Sequence, residues 1–216
     1  MIKLIDLLKE NKILIPRRSP EERQKNYVIA TQKKIHQYIK DGSEGDLNLA
    51  ITPITSLPNG LKVRVYLNLH NTKITSLPND LQLRGDLNLS NTPITTLPNG
   101  LQVKGSIYLF NTPITTLPNG LKVGGGLYLN NSSITSLPAN LKVGGYLYLD
   151  NTKITSLPNG LQVEGYLNLD NTKITSLPSD LKVRGDLNLH NTPISKKYTK
   201  EQIKQMVPGV EGNIYM

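Results

Sequence analysis

Apolar residues return along this chain with a period of 20 residues. Self-similarity at a fixed period of this length is typical of solenoids, in which each repeat forms one coil. A single coil cannot offset the conformational entropy lost on folding, so coils are stable only when they are stacked. Full copies of the pattern begin at Leu47, Leu67, Leu87, Ile107, Leu127, Leu147 and Leu167, and a truncated copy begins at Leu187 and fades after Ser195.

Within each copy, apolar and polar positions alternate over one segment, as in residues 141–149. A period of two predicts a strand with one buried face. The coil then turns at Asn151–Thr152 and again at 158–160, where proline, asparagine and glycine suit a turn. A recurrent glycine in the inward phase indicates a bend between two strand segments, where a side chain would not fit. It stands at positions 85, 105, 125, 145, 165 and 185, and Val65 replaces it in the first coil, so that bend is expected to differ.

The two ends depart from the repeat and predict helical caps. Residues 2–11 predict a short helix, and a capping box at Ser19–Glu22 predicts a longer one that ends near Lys40. The longer helix has an apolar stripe through Val28, Thr31, Ile35, Tyr38 and Ile39, which suits a lid over the first coil. We therefore predict a cap over 1–42, a solenoid over 43–195 and a second cap over 196–216. In the last part, a helix follows Thr199 to Met206, and residues 213–216 pair with the open edge of the last coil.

Residues 147–158 read Leu-x-Leu-x-x-Thr-x-Ile-Thr-x-Leu-Pro. This resembles the bacterial type of leucine-rich repeat, whose core reads Leu-x-Leu-x-x-Asn-x-Leu-Thr-x-Leu-Pro. The resemblance covers residues 47–195 and implies a mainly β fold, a parallel β-solenoid of about seven to eight coils with helical caps. One departure is the hydroxyl residue in place of the family's ladder asparagine, which we interpret as a ladder bonded to the backbone of the adjacent coil. It stands at Thr52, Thr72, Thr92, Thr112, Ser132, Thr152, Thr172 and Thr192.

A second departure is the apolar residue upstream of the first strand leucine, which stands four positions before it instead of three, as at Val63 and Val103. This spacing hints at a second strand on the opposite side of each coil and at a flatter solenoid than the family's horseshoe. The whole layout is also similar to short leucine-rich proteins encoded by tailed phages of gut bacteria. The resemblance includes the basic helical start and the ending at 197–206. It suggests a phage protein of the host cytoplasm or the virion, and little about its activity.

Composition excludes several classes of function. The chain has no cysteine, which excludes disulfides, thiolate metal sites and the cysteine-dependent ubiquitin-ligase activity of some leucine-rich effectors. The histidines, His36, His70 and His190, are scattered, and no nucleophile–base set is apparent. Charges interrupt the apolar start, and no apolar run approaches a membrane span of about 20 residues. We expect no enzyme, cofactor, metal, membrane or small-molecule substrate, and a cytoplasmic protein without a signal peptide.

Aromatic residues concentrate at the outward positions of the predicted strands. Large aromatics on an exposed sheet favour a binding surface, although tyrosine also suits strands for its packing alone. We predict a protein partner that binds this surface, which we call the Tyr face. It comprises Tyr66, Tyr108, Phe110, Tyr128, Tyr146, Tyr148, Tyr166, Asp150 and Asp170.

The net charge of +9 suggests a second kind of partner. A basic stripe lies upstream of the outward positions and could follow a phosphate backbone, so nucleic acid is an alternative partner. Such a stripe also keeps a strand face unpaired. Another alternative is a structural or virion-associated protein in which the solenoid is a rigid spacer. The basic stripe comprises Lys62, Arg64, Arg84, Lys104, Lys122, Lys142, Lys182 and Arg184.

Overall fold

The computed structural model describes residues 19–216, so the helix predicted at 2–11 lies outside the described residues. Helix α1, Pro20–Lys40, begins at the predicted capping box, in which Ser19 accepts from the Glu22 amide and Glu22 accepts from the Ser19 amide. Thr31 and Ile35 of its apolar stripe are buried, whereas Ile39 is 44% exposed. The predicted helix and its start are therefore confirmed, and its stripe is narrower than the sequence indicates.

Each of the seven full coils contributes one strand to each of two parallel sheets, and the truncated coil contributes a strand to the first sheet only. The first sheet contains β1 (Asp46–Asn48), β3 (Tyr66–Asn68), β5 (Asp86–Asn88), β7 (Ile107–Tyr108), β9 (Leu127–Tyr128), β11 (Leu147–Tyr148), β13 (Leu167–Asn168), β15 (Leu187–Asn188) and β16 (Ile214–Tyr215). The second contains β2 (Lys62–Val63), β4 (Gln82–Leu83), β6 (Gln102–Val103), β8 (Lys122–Val123), β10 (Lys142–Val143), β12 (Gln162–Val163) and β14 (Lys182–Val183). The predicted parallel β-solenoid of 20-residue coils is confirmed.

The register is one full repeat at every step between coils. Leu147 pairs with Leu127 on one side and with Leu167 on the other, and Val143 pairs with Val123 and Val163. Equivalent residues therefore stack directly above one another. The apolar residues of each coil point into a continuous core, and in the sixth coil Leu147, Leu149, Ile154, Leu157, Leu161 and Val163 are buried.

The predicted second strand is present, and only two or three residues separate it from the next strand of the first sheet. Positions 64–65, 84–85 and their equivalents form a bend, so these two strands meet at a corner, and the prediction that they lie on opposite sides of the coil is wrong. At this bend a Cβ on Gly125 would lie 2.8 Å from the Gly105 carbonyl carbon and 2.8 Å from the Ser106 nitrogen, both in the preceding coil. The glycines thus allow close backbone approach between coils, as predicted. Val65 is tolerated because it lies in the first coil, where no coil precedes it, and its side chain is 53% exposed.

The hydroxyl ladder differs from the prediction. The Thr152 hydroxyl donates to the Leu149 carbonyl of its own coil at 2.6 Å, and the equivalent threonines do the same. The bond instead closes the turn after the strand. Ser132, the serine of the series, is buried and its hydroxyl has no hydrogen-bond partner.

Each of these turns also needs a residue with positive φ. The asparagines at 71, 91, 111, 131, 151, 171 and 191 have φ between 53° and 57°. Asparagine enters this left-handed region more readily than other non-glycine residues, because its short polar side chain can bond locally. In the first coil Ile51 takes the position with φ 59° and is 65% exposed.

The caps occupy the two ends of the ladder. In the first sheet, amides of one coil donate to carbonyls of the next, as Leu49 does to Asn68. The carbonyls of β1 consequently face the end of the solenoid. There, Lys34 of α1 donates to the Asn48 carbonyl at 2.6 Å and Tyr27 donates to the Ile51 carbonyl at 3.3 Å.

At the other end, helix α2 (Pro193–Lys197) follows the last coil and is not predicted by the sequence pattern. Helix α3, Lys200–Met206, has the predicted capping box at Thr199. The predicted terminal pairing is confirmed, because Leu187 and Leu189 of the last coil donate to carbonyls of residues 213 and 215. Val210 bridges to Val183, so the same segment also closes the second sheet.

The bend predicts a sharp difference between two substitutions. Gly125→Ala should lower the free energy of unfolding by about 2 kcal/mol, because the methyl group meets backbone that cannot move aside. Val65→Ala, the matched control in the first coil, should change it by no more than about 0.5 kcal/mol. Urea denaturation followed by circular dichroism measures both. Equal effects of the two substitutions would contradict close backbone approach at the bend.

Candidate functional site

The central aromatic residues of the Tyr face come from strands in the middle of the first sheet. Tyr108, Tyr128 and Tyr148 each stand between two buried residues, so their side chains point away from the core. The one-repeat register places Tyr108, Tyr128 and Tyr148 in one column. Their rings stack with centroids 4.7 Å and 5.3 Å apart and with interplanar angles of 9° and 13°. The stack predicted from the sequence is therefore present.

Two further rings meet this column at its Tyr148 end. Tyr146 packs against Tyr148 at 6.4 Å and 87°, and Tyr166 packs against Tyr148 at 5.6 Å and 63°. These edge-to-face arrangements suit the quadrupoles of the rings. Tyr146 is 51% exposed. The five tyrosines from 108 to 166 thus form one connected cluster on the surface.

Gly126 also supports this cluster, and the sequence analysis did not predict that role. It occupies the position that carries Tyr146 and Tyr166 in later coils, and a Cβ there would lie 2.8 Å from Cε2 of the Tyr128 ring. The Tyr128 ring therefore lies over the Gly126 backbone. The glycine at an outward position, in a row that carries tyrosine, aspartate or serine in every other coil, is the signal that could have indicated a ring folded over it.

A shallow groove of about 420 Å³ crosses the cluster. It is lined by Tyr108, Phe110, Tyr128, Asn130, Tyr148, Asp150 and Asn168. Phe110 and Asp150 therefore join the aromatic cluster, as predicted. Tyr66 does not join it: its strand lies two coils before that of Tyr108, and its hydroxyl accepts from Asn88 at 3.1 Å.

Asp150 is held in place by amides at the end of this groove. Asn168 donates to its Oδ1 at 3.0 Å and Asn151 donates to its Oδ2 at 3.3 Å. Asn188 in turn donates to Asn168 at 2.9 Å, which fixes the orientation of the Asn168 amide. Partial burial raises the pKa of Asp150, with the negative charge of Asp170 in the next coil as a smaller cause, while hydrogen bonds oppose the rise. Partial burial likewise raises the pKa of Tyr128 and of Tyr166.

The Asp, Glu, Lys and Arg residues at the outward positions of the first sheet are all aspartates. Asp46, Asp86, Asp150, Asp170 and Asp186 stand there, and the outward positions of this sheet between residues 46 and 190 carry no lysine or arginine. Two of these carboxylates serve the fold: Asp86 accepts from the Ser106 amide and Asp186 accepts from the Asn213 amide. The face that carries the tyrosines is therefore locally acidic in a basic protein.

The basic stripe lies elsewhere, on the second sheet and at its bend. All eight of its side chains are exposed, and Lys122 and Lys142 are direct neighbours in the ladder. Arg64 pairs with Glu44 at 3.1 Å and Arg184 pairs with Glu164. The basic stripe and the aromatic cluster therefore lie on different sheets.

A small polar network near the N-terminal end was also missed by the sequence. His70 Nδ1 lies 2.9 Å from the Ser90 hydroxyl, and that hydroxyl donates to Asn88. Ser90 is fully buried, and with its hydroxyl proton bonded to Asn88 it is not arranged to attack a substrate. Among residues 19–216, no group of three or more histidine and carboxylate side chains is placed to hold a metal. The described helices include none that is both long and apolar enough to cross a bilayer.

Comparison with solved structures places this architecture among known folds. The chain superposes on the leucine-rich-repeat domain of a Shigella effector with a TM-score of 0.59 and 16% identity, over 99% of this chain and 98% of that one. The fold is that of a leucine-rich-repeat domain. No protein-family model matches the sequence, and no curated protein matches it.

Two longer leucine-rich-repeat proteins are also similar. One from Leptospira interrogans is 21% identical with a TM-score of 0.36, over 77% of this chain and 59% of that one. YopM from Yersinia enterocolitica is 15% identical with a TM-score of 0.41, over 98% of this chain and 63% of that one.

The raised pKa of Asp150 predicts a pH-dependent effect on stability. Because the folded state binds this proton more tightly than the unfolded state, ionised Asp150 costs stability as the pH rises above the ordinary aspartate value of about 3.9. Asp150→Asn removes that cost, and it should stabilise the protein at pH 7 by less than about 1 kcal/mol, since the carboxyl is partly exposed. The gain should shrink as the pH falls towards 4. Urea titrations of the original protein and of the variant at pH 7 and pH 4 measure the difference in their free energies of unfolding. A difference that does not change with pH would show that the ionisation of Asp150 is not its cause.

Proposed function

We propose that this protein is a non-enzymatic interaction module that binds a protein partner through the Tyr face. The observation that supports this most is the stack of Tyr108, Tyr128 and Tyr148 with two rings packed edge to face against it. Exposed aromatic clusters of this kind are the usual anchors of protein interfaces. Here the cluster stands on a flat sheet and borders a groove, so a partner could contact several rings at once.

The rings are ordered before any partner arrives. Tyr128 is held between two parallel rings and lies over Gly126, and the strand beneath it has the fully buried residues Leu127 and Leu129. Binding costs about 0.5–1.5 kcal/mol for each flexible side chain that must be immobilised. A preformed cluster avoids much of that cost. The rigid solenoid therefore supports function by holding the aromatic side chains in one arrangement.

The similarity to the leucine-rich-repeat domain of the Shigella effector supports the class of function and leaves the partner open. At 16% identity, it relates the backbone architecture of the two proteins and not their surfaces. The specific surface proposed here rests on the side chains of this chain alone.

Nucleic-acid binding along the basic stripe is supported less well. Proteins that hold single strands combine cationic grooves with aromatic rings on which bases stack. In this protein the aromatic cluster and the cations lie on different sheets, and the rings share their face with aspartates. A polyanion that followed the stripe would have no rings to stack on there. This separation favours a protein partner for the Tyr face.

The double substitution Tyr128→Ala with Tyr148→Ala tests the proposal. It should reduce capture of the partner from a lysate of cells that express the gene at least tenfold, since central aromatic anchors contribute about 2 kcal/mol or more each. The matched control, Tyr27→Ala with Tyr215→Ala, removes two exposed tyrosines outside the Tyr face and should capture normally. Quantitative mass spectrometry measures capture, and calorimetry checks that both variants remain folded. Equal capture by the two variants would contradict the proposal.

A further inference from the structure

The groove on the Tyr face has a defined length and direction. It extends from Tyr108 to Asn168, across four successive strands of the first sheet. At ~4.8 Å between strands this is a length of about 14 Å, which an extended chain of about four residues would cover. The groove is shallow and crosses the strands, so it suits a segment lying over the rings rather than a small molecule enclosed in a cavity.

Aromatic rings line the groove from Tyr108 to Tyr148, and a carboxylate lies at the Tyr148 end. Tyr108 and Phe110 line it in one coil, and Asp150 lines it two coils further on, with Asp170 next in the ladder. Each Asp150 oxygen accepts one hydrogen bond from an asparagine amide, and each can accept a second. The asparagines fix the carboxylate in place and leave it able to bind an additional donor.

Charge complementarity indicates which donor this is. The outward positions from Asp46 to His190 carry five aspartates and no lysine or arginine, although the protein as a whole has a net charge of +9. Phenol rings also attract cations through their faces. A partner matched to this surface presents positive charge, whereas attraction by the net charge of the whole protein would select negative charge. Charge complementarity to the Tyr face and attraction by the net charge therefore select partners of opposite charge, and an experiment can separate them.

We propose that the Tyr face binds an extended protein segment that carries arginine or lysine side chains, with one cationic side chain bound at Asp150 and Asp170 and the neighbouring residues lying over the tyrosine rings. This inference rests on the function proposed above and specifies the chemistry of the partner. A guanidinium suits the site well, because its fork of donors can bond a carboxylate while its plane packs on an aromatic ring.

A random library of displayed 12-residue peptides, selected against the immobilised protein, tests the inference without knowledge of the partner. The expected result is enrichment of peptides rich in arginine and lysine. The most enriched peptide, labelled with fluorescein, is then titrated by fluorescence anisotropy. Asp150→Asn with Asp170→Asn should weaken its binding at least tenfold. Glu44→Gln with Glu164→Gln makes the same change in net charge outside the Tyr face and should leave the affinity within twofold.

Several outcomes would overturn the inference. Enrichment of acidic or neutral peptides would do so, as would no enrichment or equal weakening by the two double variants. Tighter binding of a single-stranded DNA 12-mer than of the peptide, lost with Lys122→Gln and Lys142→Gln, would assign the partner to nucleic acid. Self-association of the protein that disappears in the Asp150 and Asp170 variant would assign the face to a second copy.

The failure of this inference can be distinguished from failure of the proposed function. If acidic or neutral peptides are selected and their binding is lost in the Tyr128 and Tyr148 variant, the Tyr face is a protein-binding surface with a different specificity. If peptide binding is unchanged in that variant, both proposals fall.

Discussion

Stacking in a register of one full repeat is the constraint on which the rest of this structure depends. It requires apolar core residues of similar size at equivalent positions and close backbone approach at the bend, where Gly125 and its equivalents lie against the preceding coil. The same register aligns outward side chains into columns at the strand spacing of ~4.8 Å. The stack of Tyr108, Tyr128 and Tyr148 is therefore a consequence of the ladder. Three equivalent tyrosines in consecutive coils must meet once the coils are paired.

This constraint fixes the residue type at the core and turn positions of each repeat and leaves the residue type at most outward positions free to vary. Leucine, isoleucine and valine fill the core, threonine closes the turn and asparagine takes the positive φ. The outward strand positions carry none of these duties in most coils, and there the chain places its aromatic cluster and its aspartates. Asp86 and Asp186 are exceptions, since they accept backbone amides and contribute to the fold. We therefore expect the binding residues at the outward positions whose side chains differ from coil to coil.

Features set by local chemistry or by the period could be predicted from the sequence. The capping boxes at Ser19 and Thr199, the glycine bend and the tyrosine column are of this kind, because each depends on neighbours whose spacing is fixed. The direction of the Thr152 hydroxyl could not be predicted, since a bond within the coil and a bond to the next coil suit the same residue. Helix α2 was missed because Pro193–Lys197 begins as a normal copy of the repeat. The fixing of Asp150 by Asn168 was missed because it depends on side-chain orientation between coils.

The central claim is that partners bind the cluster of five tyrosines on the first sheet and not the tyrosines of the caps. The ten tyrosines include rings in the cluster and rings in the caps, so one measurement reports on both places. In protein labelled with ¹³C at the tyrosine ε positions, NMR spectra recorded with and without a bound partner report each ring separately. The account predicts shifts for Tyr108, Tyr128, Tyr146, Tyr148 and Tyr166. Shifts confined to Tyr27, Tyr198 and Tyr215 would place binding at the caps and contradict it.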